Sequence, residues 1–84
     1  MYEYYFTFLS VTAAQRGMTD LLQRGIYAEL VRTPRRVAEN GCGYALKVKA
    51  GDGYGASSVL KLSGVNPVKV LRMFSDGRIE VARL

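Results

Sequence analysis

Cys42 is the only cysteine in the chain, and a glycine stands on either side of it, at Gly41 and Gly43. Glycine removes side-chain cover from the neighbouring sulfur and gives the backbone more freedom. Three arginines lie just upstream in the sequence: Arg32, Arg35 and Arg36. Positive charge near a thiol favours the thiolate, which is its nucleophilic form. The pattern indicates a reactive thiol, and the alternative is a small buried hydrophobe, the common fate of free cysteine.

The residues that are missing limit this chemistry further. The chain has no histidine, so a mixed Cys/His metal site is excluded, and one thiol cannot form a structural zinc site or an internal disulfide. The lack of a second thiol also argues against a thioredoxin-type reductase. Glu39 is the one carboxylate near the cysteine, and its charge would raise the thiol pKa rather than lower it. We therefore expect no metal and no cofactor, and we favour a non-enzymatic protein while leaving an enzyme open.

Length and composition predict one folded domain over residues 1–84. Hydrophobic residues make up 49% of the 84 residues, which is typical of a globule with one modest core. No apolar run approaches the roughly 20 residues needed to cross a bilayer, and no secretion signal is recognisable. We expect a reducing, cytoplasmic setting without membrane contact. The net charge of +5 suits anionic partners, although most of the cations alternate with apolar residues along the chain.

Hydrophobic periodicity and turn residues give the elements that must position the cysteine. They predict strands at 3–9, 26–32, 43–49, 68–74 and 79–84, helices at about 11–24 and 54–63, and turns at 51–53 and 75–78. Thr33-Pro34 ends the second strand, and a loop at 35–41 leads to the cysteine. Asp76-Gly77 favours a primed hairpin turn. The order predicts an α+β fold, a ferredoxin-like β-α-β-β-α-β sandwich with an extra C-terminal hairpin strand.

Strand alternation assigns side chains to the two faces of this sheet. The helix side is predicted to hold apolar residues, namely Phe6, Phe8, Leu30, Leu46 and Val48. The open side is predicted to hold a more polar set: Tyr5, Thr7, Tyr27, Glu29 and Lys47.

The spacing T-P-R-x(6)-C-G, formed by Thr33-Pro34-Arg35 and Cys42-Gly43, resembles small bacterial domains described as putative selenium/sulfur carrier proteins. The resemblance covers nearly the whole chain. It implies that Cys42 is the nucleophile that holds a persulfide or selenopersulfide for an acceptor protein. We predict that the surrounding loop residues support this role: Thr33, Pro34, Arg35, Arg36, Gly41 and Gly43. The implied partners are a desulfurase-type donor and a biosynthetic acceptor protein, and a homodimer stays open.

Two binding functions compete with the carrier. RNA-recognition modules share the predicted element order, and their third-strand signature matches here at Gly43, Tyr44 and Ala45. It fails at Cys42, where a basic residue is needed, and at Leu46, where an aromatic ring is needed, so nucleic acid is disfavoured. The second alternative is an anion-binding module, in which loop N–H groups and Arg35 hold a small anion.

Overall fold

The computed structural model of the chain describes residues 1–38 and 43–84. The predicted roles of Gly41 and Cys42, and the end of the predicted loop, lie outside the described residues. The elements follow in the order β1 (Tyr2–Phe8), α1 (Val11–Gln23), β2 (Glu29–Arg32), β3 (Tyr44–Lys49), a 3-10 turn (Ala50–Asp52), α2 (Gly53–Leu62), β4 (Lys69–Phe74) and β5 (Ile79–Ala82).

The five strands form one antiparallel sheet in the spatial order β2-β3-β1-β4-β5. The predicted α+β class, with two helices and an antiparallel sheet, is therefore confirmed. β1 lies at the centre, where Phe8 is opposite Tyr44 of β3 and Tyr2 is opposite Phe74 of β4. A helix separates β1 from β2 and β3 from β4 in the chain, and β4 and β5 form a hairpin.

Local chemistry explains where α1 begins and ends. Ser10 caps it, because its Oγ accepts a hydrogen bond from the Ala13 amide at 3.1 Å. At the other end Gly25 has a φ of 80°, which glycine adopts without strain, and the Ile26 amide donates to the Leu21 carbonyl. The Ile26 amide serves this helix ending, and the predicted strand at 26–32 is shorter than expected and begins at Glu29.

The hairpin was predicted at the right place with the wrong turn. The Gly77 amide donates to the Phe74 carbonyl, and the Phe74 amide donates to the Arg78 carbonyl. This pattern leaves three residues in the loop, with Gly77 at a φ of 92°, instead of the predicted two-residue primed turn. Asp76 Oδ1 also accepts a hydrogen bond from the Arg78 amide at 2.9 Å, which helps to fix the turn.

Both helices pack against one face of the sheet and form the main core with it. Of the side chains predicted on this face, Phe6, Phe8, Leu46 and Val48 are buried, and Leu30 is partly buried against them. Gly17 allows the close approach of α1, since a Cβ there would lie 3.1 Å from the side chains of both Leu46 and Leu60. Tyr27 precedes β2 and is exposed, so strand alternation does not assign it to either face, and its predicted open-face position stays a prediction.

The sheet has two ends with different connections, which we call the loop end and the hairpin end. At the loop end, β1 and β2 end, β3 and β4 begin, and β5 ends; at the hairpin end lies the turn between β4 and β5. α1 runs from the loop end to the hairpin end, and α2 runs back. Within residues 1–38 and 43–84, neither helix has the length and apolar character needed to span a membrane.

Candidate functional site

The candidate site begins where the β2–β3 ladder closes the base of the cysteine loop. The Thr33 amide donates to the Gly43 carbonyl at 3.0 Å, one residue beyond the paired Arg32 and Tyr44. This hydrogen bond joins the threonine of the T-P-R motif to the glycine of the C-G motif. Cys42 itself lies outside the described residues, and its peptide bond to Gly43 ties it to this base.

Thr33 is the unusual residue at this base. It is only 6% exposed, and its Oγ1 has no hydrogen-bond partner among the described residues. A buried hydroxyl without a partner lowers stability by about 1–3 kcal/mol relative to a satisfied one. Thr33 continues the alternation of Glu29 and Val31, so its side chain lies on the face opposite the helices. The fold therefore places a buried hydroxyl donor, without a partner among the described residues, next to the cysteine segment.

Pro34 turns the chain as it leaves β2. The Pro34 carbonyl accepts hydrogen bonds from the amides of Val37 and Ala38, each at 3.0 Å, so residues 34–38 form a single tight turn. Proline suits the start of such a turn because its φ is already fixed near the required value. The predicted role of Pro34 as a strand terminator agrees with this geometry, and the proline also sets the direction of the loop.

The three arginines near the cysteine have separate environments. The Arg32 guanidinium stacks over the Tyr44 ring, 5.1 Å from its centroid. Arg36 donates through Nη2 to the Gly77 carbonyl at 2.6 Å. The Arg35 side chain is exposed and makes no hydrogen bond or ion pair with the residues described here. Of the three cations, Arg35 is the one not engaged elsewhere in the described part of the chain.

The Arg36–Gly77 hydrogen bond reveals a feature that the sequence did not predict. Thr33 lies at the loop end of the sheet, and Gly77 lies in the turn at the hairpin end. Because the helices occupy one face of the sheet, we infer that the chain from Thr33 to Arg36 extends across the other face. We call residues 33–38 the crossing segment. Alternation of apolar and polar residues indicates which side of a strand is covered, but it cannot show which loop provides the cover.

Burial on the second face agrees with this crossing. Thr7, Ala45 and Leu71 all lie on the face opposite the helices, yet each is at most 2% exposed. None of them belongs to the main core cluster. The predicted open face is therefore partly covered, while Glu29 and Lys47 remain accessible on it and form an ion pair at 3.1 Å. That pairing also raises the pKa of Lys47.

The third strand places Tyr44, the aromatic residue of the RNA-recognition signature, on the helix side of the sheet. Tyr44 and Leu46 lie on the helix side, with Leu46 fully buried, and Ala45 and Lys47 point the other way. Base stacking in RNA-recognition modules uses aromatic rings presented on the exposed side of this strand. Tyr44 is instead half-buried beneath Arg32.

A second polar cluster lies on the helix side and is separate from the cysteine loop. Arg72 Nε donates to Tyr4 Oη at 3.4 Å, and the guanidinium also stacks over the rings of Tyr4 and Tyr2. A hydrogen bond from Tyr2 lowers the pKa of Tyr4, while the same bond raises the pKa of Tyr2. Tyr2 and Arg72 belong to β1 and β4 toward the hairpin end. A surface groove of about 610 Å³, lined by Tyr5 and Met73 among others, also lies at the hairpin end of the sheet.

Comparison with protein families gives one match. The family described as putative Se/S carrier protein-like matches residues 3–72, from β1 into β4, and so includes both the T-P-R and the C-G motifs. The comparisons with curated proteins and with solved structures find no match. The match covers well over half of the 84 residues, and the chain therefore belongs to the putative Se/S carrier protein-like family.

Proposed function

We propose that this protein accepts sulfur or selenium on Cys42, holds it as a persulfide or selenopersulfide, and delivers it to an acceptor protein. The observation that carries the proposal is the hydrogen bond between Thr33 and Gly43, which joins the two halves of the motif at the base of the loop. Family membership supports the coarse role of a chalcogen carrier. The use of Cys42 and the delivery step are our extension.

The transfer is a balanced exchange. The Cys42 thiolate attacks the terminal sulfur of a donor persulfide, and a new S–S bond forms between them. The S–S bond within the donor breaks, and its electron pair stays on the donor cysteine as a thiolate. No external oxidant or reductant is needed. Delivery repeats the same exchange with an acceptor thiolate, and a terminal selenium atom reacts in the same way.

The exchange needs an ionised sulfur, and two described residues support that need. An unperturbed cysteine has a pKa of about 8.5, so only a few per cent is thiolate near neutral pH. In our proposal Arg35 supplies the nearby positive charge, since Arg32 and Arg36 are engaged with Tyr44 and Gly77. Thr33 donates its unpaired buried hydroxyl to the sulfur, which stabilises the charged form.

The proposal also includes the setting and the partners. A lone thiolate that exchanges sulfur must remain reduced between cycles, which suits the cytoplasm. The donor is a desulfurase-type enzyme, and the acceptor is a biosynthetic protein with its own thiolate. We further propose that the sheet is ferredoxin-like, on the support of its β-α-β-β-α-β order and the central position of β1 and β3.

The test is intact-mass spectrometry of the protein after incubation with a purified cysteine desulfurase and L-cysteine. We expect an added mass of one or more sulfur atoms, removed by dithiothreitol. Cys42→Ser should abolish the adduct while keeping the circular dichroism spectrum, since serine is smaller and changes no described contact. Wild-type protein that gains no reducible mass from the enzyme or from inorganic polysulfide would refute the carrier function.

A further inference from the structure

The described acidic side chains gather toward one end of the strand direction, whereas basic side chains lie at both ends. Of the seven carboxylate side chains, Glu39 lies outside the described residues and the other six lie toward the hairpin end: Glu3, Asp20, Glu29, Asp52, Asp76 and Glu80. The loop end holds cations instead, with Arg32 closing β2, Lys69 opening β4 and Arg83 following β5. The loop end thus has a positive field, with no side-chain carboxylate among residues 1–38 and 43–84 at that end.

Exposed aliphatic side chains lie among these cations. Leu9, Leu62 and Val68 are 64%, 77% and 49% exposed. The Val68 amide donates to the Thr7 carbonyl at 2.8 Å, which places Val68 beside the end of β1, where Leu9 follows. Leu62 is the last residue of α2, at the same end of the sheet. Three large apolar side chains at one end are a feature expected of a contact surface.

We propose that this end of the sheet is the docking surface for a protein partner whose own surface is acidic around an apolar centre. We call it the docking edge, and it consists of Leu9, Arg32, Leu62, Val68, Lys69 and Arg83. The inference rests on the proposed carrier function, because the docking edge adjoins Gly43, from which the chain leads directly to Cys42. A partner bound there brings its own sulfur-bearing group to the cysteine loop.

The chemistry of the docking edge favours a protein over a nucleic acid. Single-stranded nucleic acid is bound by cations together with aromatic rings on which bases stack. The two most exposed aromatic side chains, Tyr27 and Tyr54, lie at the hairpin end. At the docking edge the exposed apolar groups are aliphatic, and complementary charge around an apolar centre speeds protein association.

Two double variants separate the docking edge from a general change in charge. Leu62→Ser with Arg83→Glu removes one exposed apolar side chain and two units of positive charge from the docking edge. Tyr54→Ser with Arg24→Glu makes the matched change at the hairpin end, where both residues are exposed. Neither pair touches a residue that the carrier chemistry uses, so the reaction of Cys42 with inorganic polysulfide should keep its wild-type rate in both.

The measurement is the second-order rate of sulfur transfer to Cys42 from a purified cysteine desulfurase charged with L-cysteine. At low ionic strength we expect a rate about tenfold lower for the docking-edge variant, a gap that narrows with salt, and an unchanged rate for the hairpin-end variant. Equal rates, or equal losses, in the two variants would overturn the docking inference. Wild-type protein that takes sulfur from polysulfide but not from the desulfurase would also overturn it. Salt-sensitive binding of a fluorescent 15-nucleotide RNA, lost only in the docking-edge variant, would reassign this end to nucleic acid. Wild-type protein that takes sulfur from neither source would refute the carrier function itself.

Discussion

Gly53→Ala should destabilise the fold strongly, because the first residue of α2 lies directly against the ring of Tyr4. A Cβ at this position would overlap three atoms of that ring, which is 2% exposed and part of the main core. The ring has little room to move, since its hydroxyl bonds Arg72 and its face packs near Tyr2 and Phe6. Forcing an extra methyl group into a filled core reduces the free energy of unfolding by about 1–3 kcal/mol.

A helical alanine opposes part of that loss. Replacing glycine within a helix raises the free energy of unfolding by about 0.5–1 kcal/mol, and less at the first helical position. The overlap involves a ring and not the end of a flexible chain, so the steric term dominates. We expect a net loss of about 1–2 kcal/mol, which lowers the melting temperature by about 5–15 °C for a domain of this size.

Gly51→Ala is the matched control for this prediction. Gly51 lies two residues earlier in the 3-10 turn, and a Cβ there meets nothing within 4 Å. Urea unfolding followed by circular dichroism should give Gly51→Ala the wild-type midpoint within error and Gly53→Ala a clearly lower one. Equal midpoints would show that α2 does not begin against Tyr4. Folded Gly53→Ala should still load sulfur at the wild-type rate, because Gly53 lies at the hairpin end and the base of the cysteine loop lies at the loop end.

Three further predictions concern the cysteine loop. The rate of Cys42 alkylation against pH should give an apparent thiol pKa below about 8.5. Arg35→Ala should raise this thiol pKa by a few tenths to one unit. The same thiol pKa in the wild type and in Arg35→Ala would remove Arg35 from the site. Thr33→Val should raise the thiol pKa, because it removes the buried hydroxyl that we propose donates to the thiolate; an unchanged thiol pKa in this variant would show that the hydroxyl does not reach the sulfur. Arg36→Ala should speed tryptic cleavage after Arg35, since the hydrogen bond to the Gly77 carbonyl is lost. The free energy of unfolding should change by less than about 1 kcal/mol. An unchanged cleavage rate would contradict the claim that this bond holds the crossing segment in place.

The sequence predicted the secondary structure because each element has a strong local signal. Ser10 and Gly25 mark the ends of α1, and alternating apolar residues mark β1 and β3. These signals depend on neighbours a few residues apart, so they can be read from the chain alone. The errors fell at the ends of elements, where individual backbone hydrogen bonds set the boundary: the bond from Ile26 to Leu21 precedes a shorter β2, and the bonds around Phe74 lengthened the hairpin loop.

The site was predicted only as far as its motif. The spacing of Thr33 and Gly43 in the sequence was informative, but their hydrogen bond depends on the register of two strands. Arg36 was grouped with Arg35 because they are adjacent, and the structure separates them by joining Arg36 to a turn 41 residues away. Contacts of that separation leave no periodic trace, which is also why the cover over Leu71 was missed.

The position of the chalcogen is the most direct test of the carrier function. Trypsin cleaves after Arg36 and Lys47, and the peptide between them holds the only thiol of the chain. The protein should be loaded with ³⁵S from a desulfurase, blocked with iodoacetamide, digested and separated. We predict that the label elutes with peptide 37–47 and leaves it on reduction with dithiothreitol. Label spread over other peptides, or none on this peptide while the desulfurase itself is charged, would contradict the assignment of Cys42 as the carrier.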